Sequence, residues 1–123
     1  MPIRVVLIED NDVFRHALEL LLGQRGDIDI AAAEATGENA VELCKLHEPD
    51  VILVDYRLPG DDGVQVARRV RAECPEVSIV VLTAAAGERE IEALIEAGVV
   101  ACVRKDEPLD AIVAAVRHAA GAD

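Results

Sequence analysis

The sequence predicts a single α/β domain in which a parallel sheet of five strands lies between two layers of helices. Three observations predict this fold class. The chain has 123 residues, fewer than the roughly 150 of an average domain. Five short runs rich in Val, Ile and Leu alternate with segments whose apolar residues recur every three or four positions. The runs are almost entirely apolar, which is typical of parallel strands buried on both faces.

The five apolar runs are the predicted strands. They are Ile3–Ile8, Ile28–Ala33, Val51–Val54, Val77–Leu82 and Val99–Val103. The second run is also compatible with a helix, because it contains Asp29 and the three alanines at 31–33. Pro49 precedes the third run and supports its boundary.

The segments between the runs are predicted helices, each with one buried face. Their periodic apolar positions are Phe14, Leu18, Leu21 and Leu22; Val41 and Cys44; Val64, Ala67 and Val70; Ile91, Leu94 and Ile95; and Leu109, Ile112, Val113 and Val116. Turn residues predict the ends: Gly23 and Gly26 close the first helix, Thr36 and Gly37 open the second, Pro75 and Gly98 end the third and fourth, and Pro108 fits the first turn of the fifth.

Composition and charge exclude several classes of function. The net charge of −12 repels nucleic-acid phosphates and anionic lipid surfaces, so we expect no direct nucleic-acid or membrane binding. No apolar run approaches the ~18 residues that span a bilayer, and we expect a soluble cytoplasmic protein. Cys44, Cys74 and Cys102 lack metal-ligand spacing and are interpreted as reduced, mostly buried residues.

Acidic, hydroxyl and amine side chains follow four of the predicted strands. Glu9 and Asp10 come after the first strand, Asp55 after the third, Thr83 after the fourth and Lys105 after the fifth. Because ligands of open parallel sheets bind beyond the carboxyl ends of the strands, we expect these side chains to share one site. The first loop contains no glycine-rich phosphate-binding motif, so a nucleotide cofactor is not expected there.

Carboxylates at the ends of neighbouring strands require a cation. At a spacing of roughly 5 Å, two such charges repel by about 3 kcal/mol at an effective dielectric constant near 20. Hard oxygen ligands with room for water and phosphate suit Mg²⁺. With Mg²⁺ and Lys105 the site is close to neutral, so it tolerates a phosphoryl group on Asp55 as nucleophile, with Thr83 as hydroxyl donor and Lys105 as charge partner.

The same residues lie in four segments that resemble the receiver domain of two-component response regulators. The segments are VVLIEDND at 5–12, PDVILVDYRLPGDDG at 49–63, IVVLTAAA at 79–86 and EAGVVACVRKDEP at 96–108. They occur in the order and at the separations typical of that family, and the resemblance covers essentially residues 1–123 as one receiver domain.

The resemblance implies a flavodoxin-like (βα)5 sandwich with the strand order 2-1-3-4-5. It implies that Asp55 accepts a phosphoryl group from a sensor histidine kinase, with Thr83 and Lys105 assisting. Mg²⁺ would be held by Asp10 directly, by Glu9 partly through water, by Asp55 and by the backbone carbonyl of Arg57. Such a domain is a phosphoacceptor rather than an enzyme acting on other molecules, since it catalyses only its own phosphorylation and dephosphorylation.

The resemblance also bears on partners and switching. The segment around the fifth strand is similar to regulators with a helix-turn-helix DNA-binding output domain, so we expect regulation of transcription through an output domain absent from this chain. The apolar stripe of the last helix would suit a second copy, although core packing is the simpler interpretation. Cys102 stands where the family carries a switching aromatic residue, and Arg57 and Ala85 stand where side chains control water access.

Two other functions fit part of the pattern. A pseudo-receiver would bind proteins without being phosphorylated, but the intact set of Asp55, Thr83 and Lys105 argues against it. A phosphatase of the haloacid dehalogenase type also combines Asp, Mg²⁺, Thr and Lys. That superfamily places its nucleophile in a DxD pair after the first strand, whereas here Glu9 and Asp10 lack the pattern.

Overall fold

Strands and helices alternate along the chain in the predicted order. The computed structural model describes residues 2–84 and 87–122. The elements are β1 (Ile3–Ile8), α1 (Asp12–Gly23), β2 (Ile28–Glu34), α2 (Ala40–His47), β3 (Val51–Asp55), α3 (Gly63–Glu73), β4 (Ser78–Thr83), α4 (Glu88–Glu96), β5 (Val99–Arg104) and α5 (Leu109–Ala119). All strand pairs are parallel and the order is β2-β1-β3-β4-β5, which confirms the fold class.

The central strand β3 is buried on both faces of the sheet. Val54 and Ile52 belong to a core cluster with α2, α3 and α4, whereas Leu53 and Val51 belong to a second cluster with α1 and α5. Since neighbouring side chains of a strand point to opposite faces, a strand between two helical layers needs apolar residues at every position. This requirement explains the uninterrupted apolar runs in the sequence.

The end of β2 and the start of α2 show where local sequence patterns were and were not sufficient. β2 is a strand, paired with β1 from the Ile3–Ile28 pair onward, so its helical alternative is wrong. The predicted start of α2 at Thr36 and Gly37 is also wrong, because the helix begins at Ala40. Gly37 is buried, and a side chain there would collide with Val66 of α3. Glycine at position 37 lets this segment pack closely against α3, and the local sequence pattern does not reveal that contact.

Other boundary residues behave as predicted or nearly so. Gly98 follows α4 with a left-handed φ of 95°, the conformation that glycine adopts readily after a helix. Pro108 occupies the N-cap position of α5, one residue before its first turn.

Cys44 and Cys74 are buried as expected, whereas Cys102 is exposed, because β5 is an edge strand whose alternate side chains face outward. Within residues 2–84 and 87–122, no helix combines the length and the apolar character needed to cross a membrane.

We expect Gly63→Ala to destabilise the fold by about 1–3 kcal/mol, the typical cost of overpacking. A Cβ at Gly63 would lie 2.9 Å from the Tyr56 Cα and 3.1 Å from the Asp55 carbonyl oxygen, both backbone atoms that cannot rotate away. Urea unfolding measures the effect. The matched control is Gly23→Ala, since a Cβ there meets nothing within 4 Å. Equal unfolding free energies for the two variants would contradict the packing argument.

Candidate functional site

The structure brings the five predicted site residues to the carboxyl edge of the sheet. Glu9 and Asp10 follow β1, Asp55 ends β3, Thr83 ends β4 and Lys105 follows β5. Glu9, Asp55 and Thr83 are buried, with exposed fractions of 0%, 4% and 2%, whereas Asp10 is exposed. A site with buried walls and one open, acidic side results.

Three carboxylates converge on one point of this edge. One oxygen from each of Glu9, Asp10 and Asp55 lies within 4.8 Å of the others. The buried carboxylates are oriented by backbone donors, since the amide of Asn11 donates to Glu9 Oε2 at 3.0 Å and the amide of Arg57 donates to Asp55 Oδ1 at 3.3 Å. The loops after β1 and β3 therefore fix the direction of the carboxylates before any ligand binds.

Lys105 reaches across β4 to these carboxylates. Its Nζ lies 2.7 Å from Glu9 Oε1 and 3.1 Å from Asp55 Oδ2. The Lys105 amide donates to the Thr83 carbonyl at 2.8 Å, which ties the start of the side chain to the end of β4. Burial lowers the pKa of Lys105, but the carboxylates of Glu9 and Asp55 outweigh it and the net shift is upward. The amine is therefore a stable ammonium.

Burial, followed by the neighbouring Glu9, raises the pKa of Asp55, and Lys105 only partly opposes the shift. The cluster has three negative charges against the single ammonium, so a divalent cation would complete its neutralisation. Glu9 Oε1 has its ion pair with Lys105 but no well-aligned hydrogen bond within residues 2–84 and 87–122. Oxygen donors, net negative charge and an open side at Asp10 all fit Mg²⁺.

Thr83 contributes a hydroxyl that the protein itself does not use. Its Oγ1 is buried and has no hydrogen-bond partner among the described residues. A buried polar atom without a partner costs free energy, typically about 1–3 kcal/mol, so such atoms commonly mark a place where a ligand binds. An anionic oxygen held beside Asp55 would accept a hydrogen bond from this hydroxyl.

Two neighbours of the site were missed by sequence reasoning. The Arg15 guanidinium donates to the Glu9 carbonyl at 2.8 Å and to Asp12 Oδ1 at 2.7 Å, so it braces the loop after β1. The spacing of three residues between Asp12 and Arg15 was an available signal. The centroid of the Phe14 ring lies 5.0 Å from Lys105 Nζ, a contact that no local pattern indicates.

Arg57 and Ala85 were the two positions expected to control water access to the site. Arg57 is exposed, and Ala85 lies outside the described residues.

The raised pKa of Asp55 predicts a pH-dependent stability difference between the parent and Asp55→Asn in metal-free buffer. Below the unfolded-state pKa of about 3.9, Asp55 is protonated in both the folded and the unfolded state, so its ionisation does not change the free energy of unfolding. As the pH rises from that value through the higher folded-state pKa, ionisation increasingly favours unfolding. The advantage of Asp55→Asn in unfolding free energy should therefore grow from about pH 4 and become constant once the pH exceeds the folded-state pKa. Urea unfolding with a chelator measures it, and a constant difference across this range would contradict the shift.

An open α/β fold whose carboxyl edge combines a carboxylate cluster, a buried hydroxyl and a paired lysine fits the class of receiver domains that the sequence resembles. The comparison with known proteins agrees. The chain belongs to the response regulator receiver domain family, whose model matches residues 5–117. Phosphoryl transfer is the function of this family.

Individual relatives are similar to this chain over most of its length. The transcriptional regulatory protein DegU of Brevibacillus brevis is 31% identical over 115 residues, which cover 94% of this chain and 49% of DegU. The transcriptional regulatory protein LiaR of Bacillus subtilis is 32% identical over 117 residues, which cover 95% of this chain and 56% of LiaR. The structure of the signal receiver domain of the response regulator NarL from Mycobacterium tuberculosis has a TM-score of 0.92 at 32% identity and covers 99% of this chain and 98% of that one.

These findings confirm the predicted family and fold, and they favour the receiver over the haloacid dehalogenase alternative. The chain spans about half the length of the curated relatives it matches. Cys102 stands where the resemblance implies a switching aromatic residue. The residue as a whole is exposed on β5, but partial desolvation of its thiol, followed by the charge of Glu107, raises the pKa of the thiol. The thiol is therefore protonated at neutral pH and supplies no charge to this face of the domain.

Proposed function

We propose that residues 1–123 form a receiver domain in which Asp55 accepts a phosphoryl group in a Mg²⁺-dependent reaction. The observation that carries the proposal is the Lys105 ammonium placed 3.1 Å from Asp55 Oδ2 and 2.7 Å from Glu9 Oε1. A phosphoryl group on Asp55 needs a positive partner at this distance. The Thr83 hydroxyl, which has no hydrogen-bond partner in residues 2–84 and 87–122, supplies a donor on the next strand.

Each residue has a distinct part in this proposal. Glu9, Asp10, Asp55 and the backbone carbonyl of Arg57 would hold Mg²⁺, which neutralises charge on the transferring group. An Asp55 carboxylate oxygen forms the new bond to phosphorus while the bond from phosphorus to the donor breaks, and the donor leaves with that electron pair. Lys105 pairs with a phosphoryl oxygen, and the Thr83 hydroxyl donates to another.

The electrostatics of the site tolerate the product. Converting the Asp55 carboxylate to an acyl phosphate dianion adds only about one negative charge. The Lys105 ammonium lies 3.1 Å from the Asp55 carboxylate, so it is close enough to pair with the oxygens of a phosphoryl group on Asp55. In this proposal the domain catalyses its own phosphorylation, with the phosphodonor as the other substrate, and its own dephosphorylation, in which water takes the phosphoryl group and inorganic phosphate leaves.

The comparisons support the partners of this proposal. Membership of the family supports a sensor histidine kinase as the donor. DegU and LiaR are named as transcriptional regulatory proteins, and the matched region covers 49% and 56% of their lengths. We therefore propose that this domain controls a DNA-binding output domain or a separate partner, and that the apolar stripe of α5 is core rather than a dimer surface, since Ile112, Val113 and Val116 are buried.

Intact-protein mass spectrometry tests the proposal. Incubation with Mg²⁺ and a small phosphodonor, acetyl phosphate or phosphoramidate, should add the mass of one phosphoryl group. The same incubation with a chelator in place of Mg²⁺ should add none. Absence of the adduct at every Mg²⁺ concentration would overturn the proposal in favour of a pseudo-receiver that only binds proteins.

We expect Lys105→Ala to separate metal binding from the response to phosphorylation. Lys105 is paired with two of the three metal-binding carboxylates. Because a competing cation is removed, Mg²⁺ affinity should be retained or increased, whereas the phosphoryl group loses its charge partner. Calorimetric Mg²⁺ titration measures the metal affinity, and the adduct assay measures phosphorylation. Lost metal binding with a normal phosphorylation response would contradict the role of Lys105.

A further inference from the structure

The ring of Phe14 lies beside the Lys105 ammonium. The distance from Nζ to the ring centroid is 5.0 Å, within the ~6 Å at which a cation is attracted to an aromatic face. Phe14 is the single Phe of a chain with one Tyr and no Trp, so aromatic surface is scarce in this protein. We propose that Phe14 is a positioning residue that keeps Lys105 at the site for phosphoryl transfer, an inference that rests on the proposed function.

Phe14 is held in place by its position in α1 and by contacts with the core. Phe14 occupies the first turn of α1, where its amide donates to the Asn11 side chain at 2.9 Å and caps the helix. Its ring is partly buried against the core cluster formed with α1 and α5. On the open side, Phe14 and Lys105 line a cleft of about 360 Å³ together with Asn11, Ala84 and Asp106. The ring therefore forms one wall beside the Lys105 side chain, on the side that faces the cleft.

The other partners of the ammonium are the groups that a metal ion would engage. Lys105 is paired with Glu9 and Asp55, and both carboxylates belong to the cluster that fits a divalent cation. A cation on those oxygens weakens their attraction for the ammonium. The Phe14 ring is no metal ligand, so its attraction for the ammonium persists. Phe14 thus limits the rotational freedom of Lys105 before the phosphoryl group arrives, which is a preorganising effect.

Phe14→Leu should slow phosphorylation by phosphoramidate about two- to fivefold, the loss expected for a partly exposed cation–π contact. Phe14→Tyr keeps an aromatic face and should keep the rate within about twofold. Mg²⁺ affinity should be the same in both variants and the parent, because the carboxylates are unchanged. Circular dichroism checks that each variant is folded, and Phe14→Tyr keeps the proposal testable if Phe14→Leu does not fold.

Nuclear magnetic resonance detects the contact between the Phe14 ring and Lys105 in samples without metal or phosphodonor. The chain has two lysines, and Lys45 pairs with Glu73 on the surface. The ring current of Phe14 should move the Hε protons of Lys105 upfield of those of Lys45. The shift should persist in saturating Mg²⁺ and in Phe14→Tyr, and it should vanish in Phe14→Leu.

A double-mutant cycle separates positioning from a general effect on folding. In a Lys105→Ala background, Phe14→Leu should slow phosphorylation no further. Equal slowing with and without Lys105, or Lys105 Hε protons in the parent at the position of Lys45, would overturn the positioning role. Failure of the parent itself to take up phosphoryl would overturn the proposed function, whereas these two results overturn the role of Phe14 alone.

Discussion

Asp55→Asn is expected to reduce phosphoryl incorporation from one group per chain to background. The amide lacks the anionic oxygen that attacks phosphorus, and it removes one of the three carboxylates that converge at the sheet edge. The variant should remain folded, because the side chain keeps its size and burial raises the pKa of the original carboxyl, so its charge is unfavourable to folding. Intact mass after incubation with Mg²⁺ and phosphoramidate measures the result.

The matched control for this experiment is Asp29→Asn. It makes the same chemical change in a surface ion pair with Arg4, where the Asp29 side chain is 50% exposed. Incorporation should equal that of the parent. A phosphoryl adduct that survives in Asp55→Asn would place the acceptor elsewhere, and the most informative next step would be to locate that adduct by peptide mapping.

Leu53→Ala is expected to cost about 2–5 kcal/mol of unfolding free energy, the range for large-to-small changes in a packed core. Leu53 is fully buried in the central strand, where it pairs with Leu7 of β1 and Val80 of β4. Truncation leaves a cavity between the sheet and the layer of α1 and α5. Because small domains are stable by only about 5–15 kcal/mol, the variant should be close to unfolding at moderate temperature.

Leu46→Ala is the matched control for the core prediction. It removes the same atoms from a side chain on α2 that is 75% exposed, so the change should stay within about 0.5 kcal/mol. Urea unfolding of both variants in the same metal-free buffer provides the comparison. A cost for Leu53→Ala as small as that for Leu46→Ala would mean that the central strand is not tightly packed.

Much of the architecture was predictable because the three central strands, β1, β3 and β4, are buried on both faces. A run such as Val51–Val54 is apolar at every position, and this pattern is both local and specific to covered parallel strands. The start of α2 was not predictable in the same way. Gly37 sits against Val66, which is 29 residues further along the chain, and the local pattern contains no record of that contact.

The identity of the site residues was predictable for a related reason. Parallel strands end at the same edge, so the residues after each run had to approach one another once the strand order was right. Glu9, Asp10, Asp55, Thr83 and Lys105 do so in the structure. Their roles in phosphoryl transfer stay predictions until the adduct is measured.

The sequence by itself determined the fold class and the set of polar residues at the sheet edge, because these depend on periodicity and on the residue types directly after each strand. It indicated the family through the resemblance of four segments. Only the tertiary structure decided that Lys105 pairs with both Glu9 and Asp55, that the Thr83 hydroxyl has no partner among the described residues, and that the Phe14 ring lies beside the ammonium. These features depend on side-chain directions and distances between separate elements. Packing sets such distances to within a fraction of an ångström, whereas sequence patterns specify only which face of an element is buried.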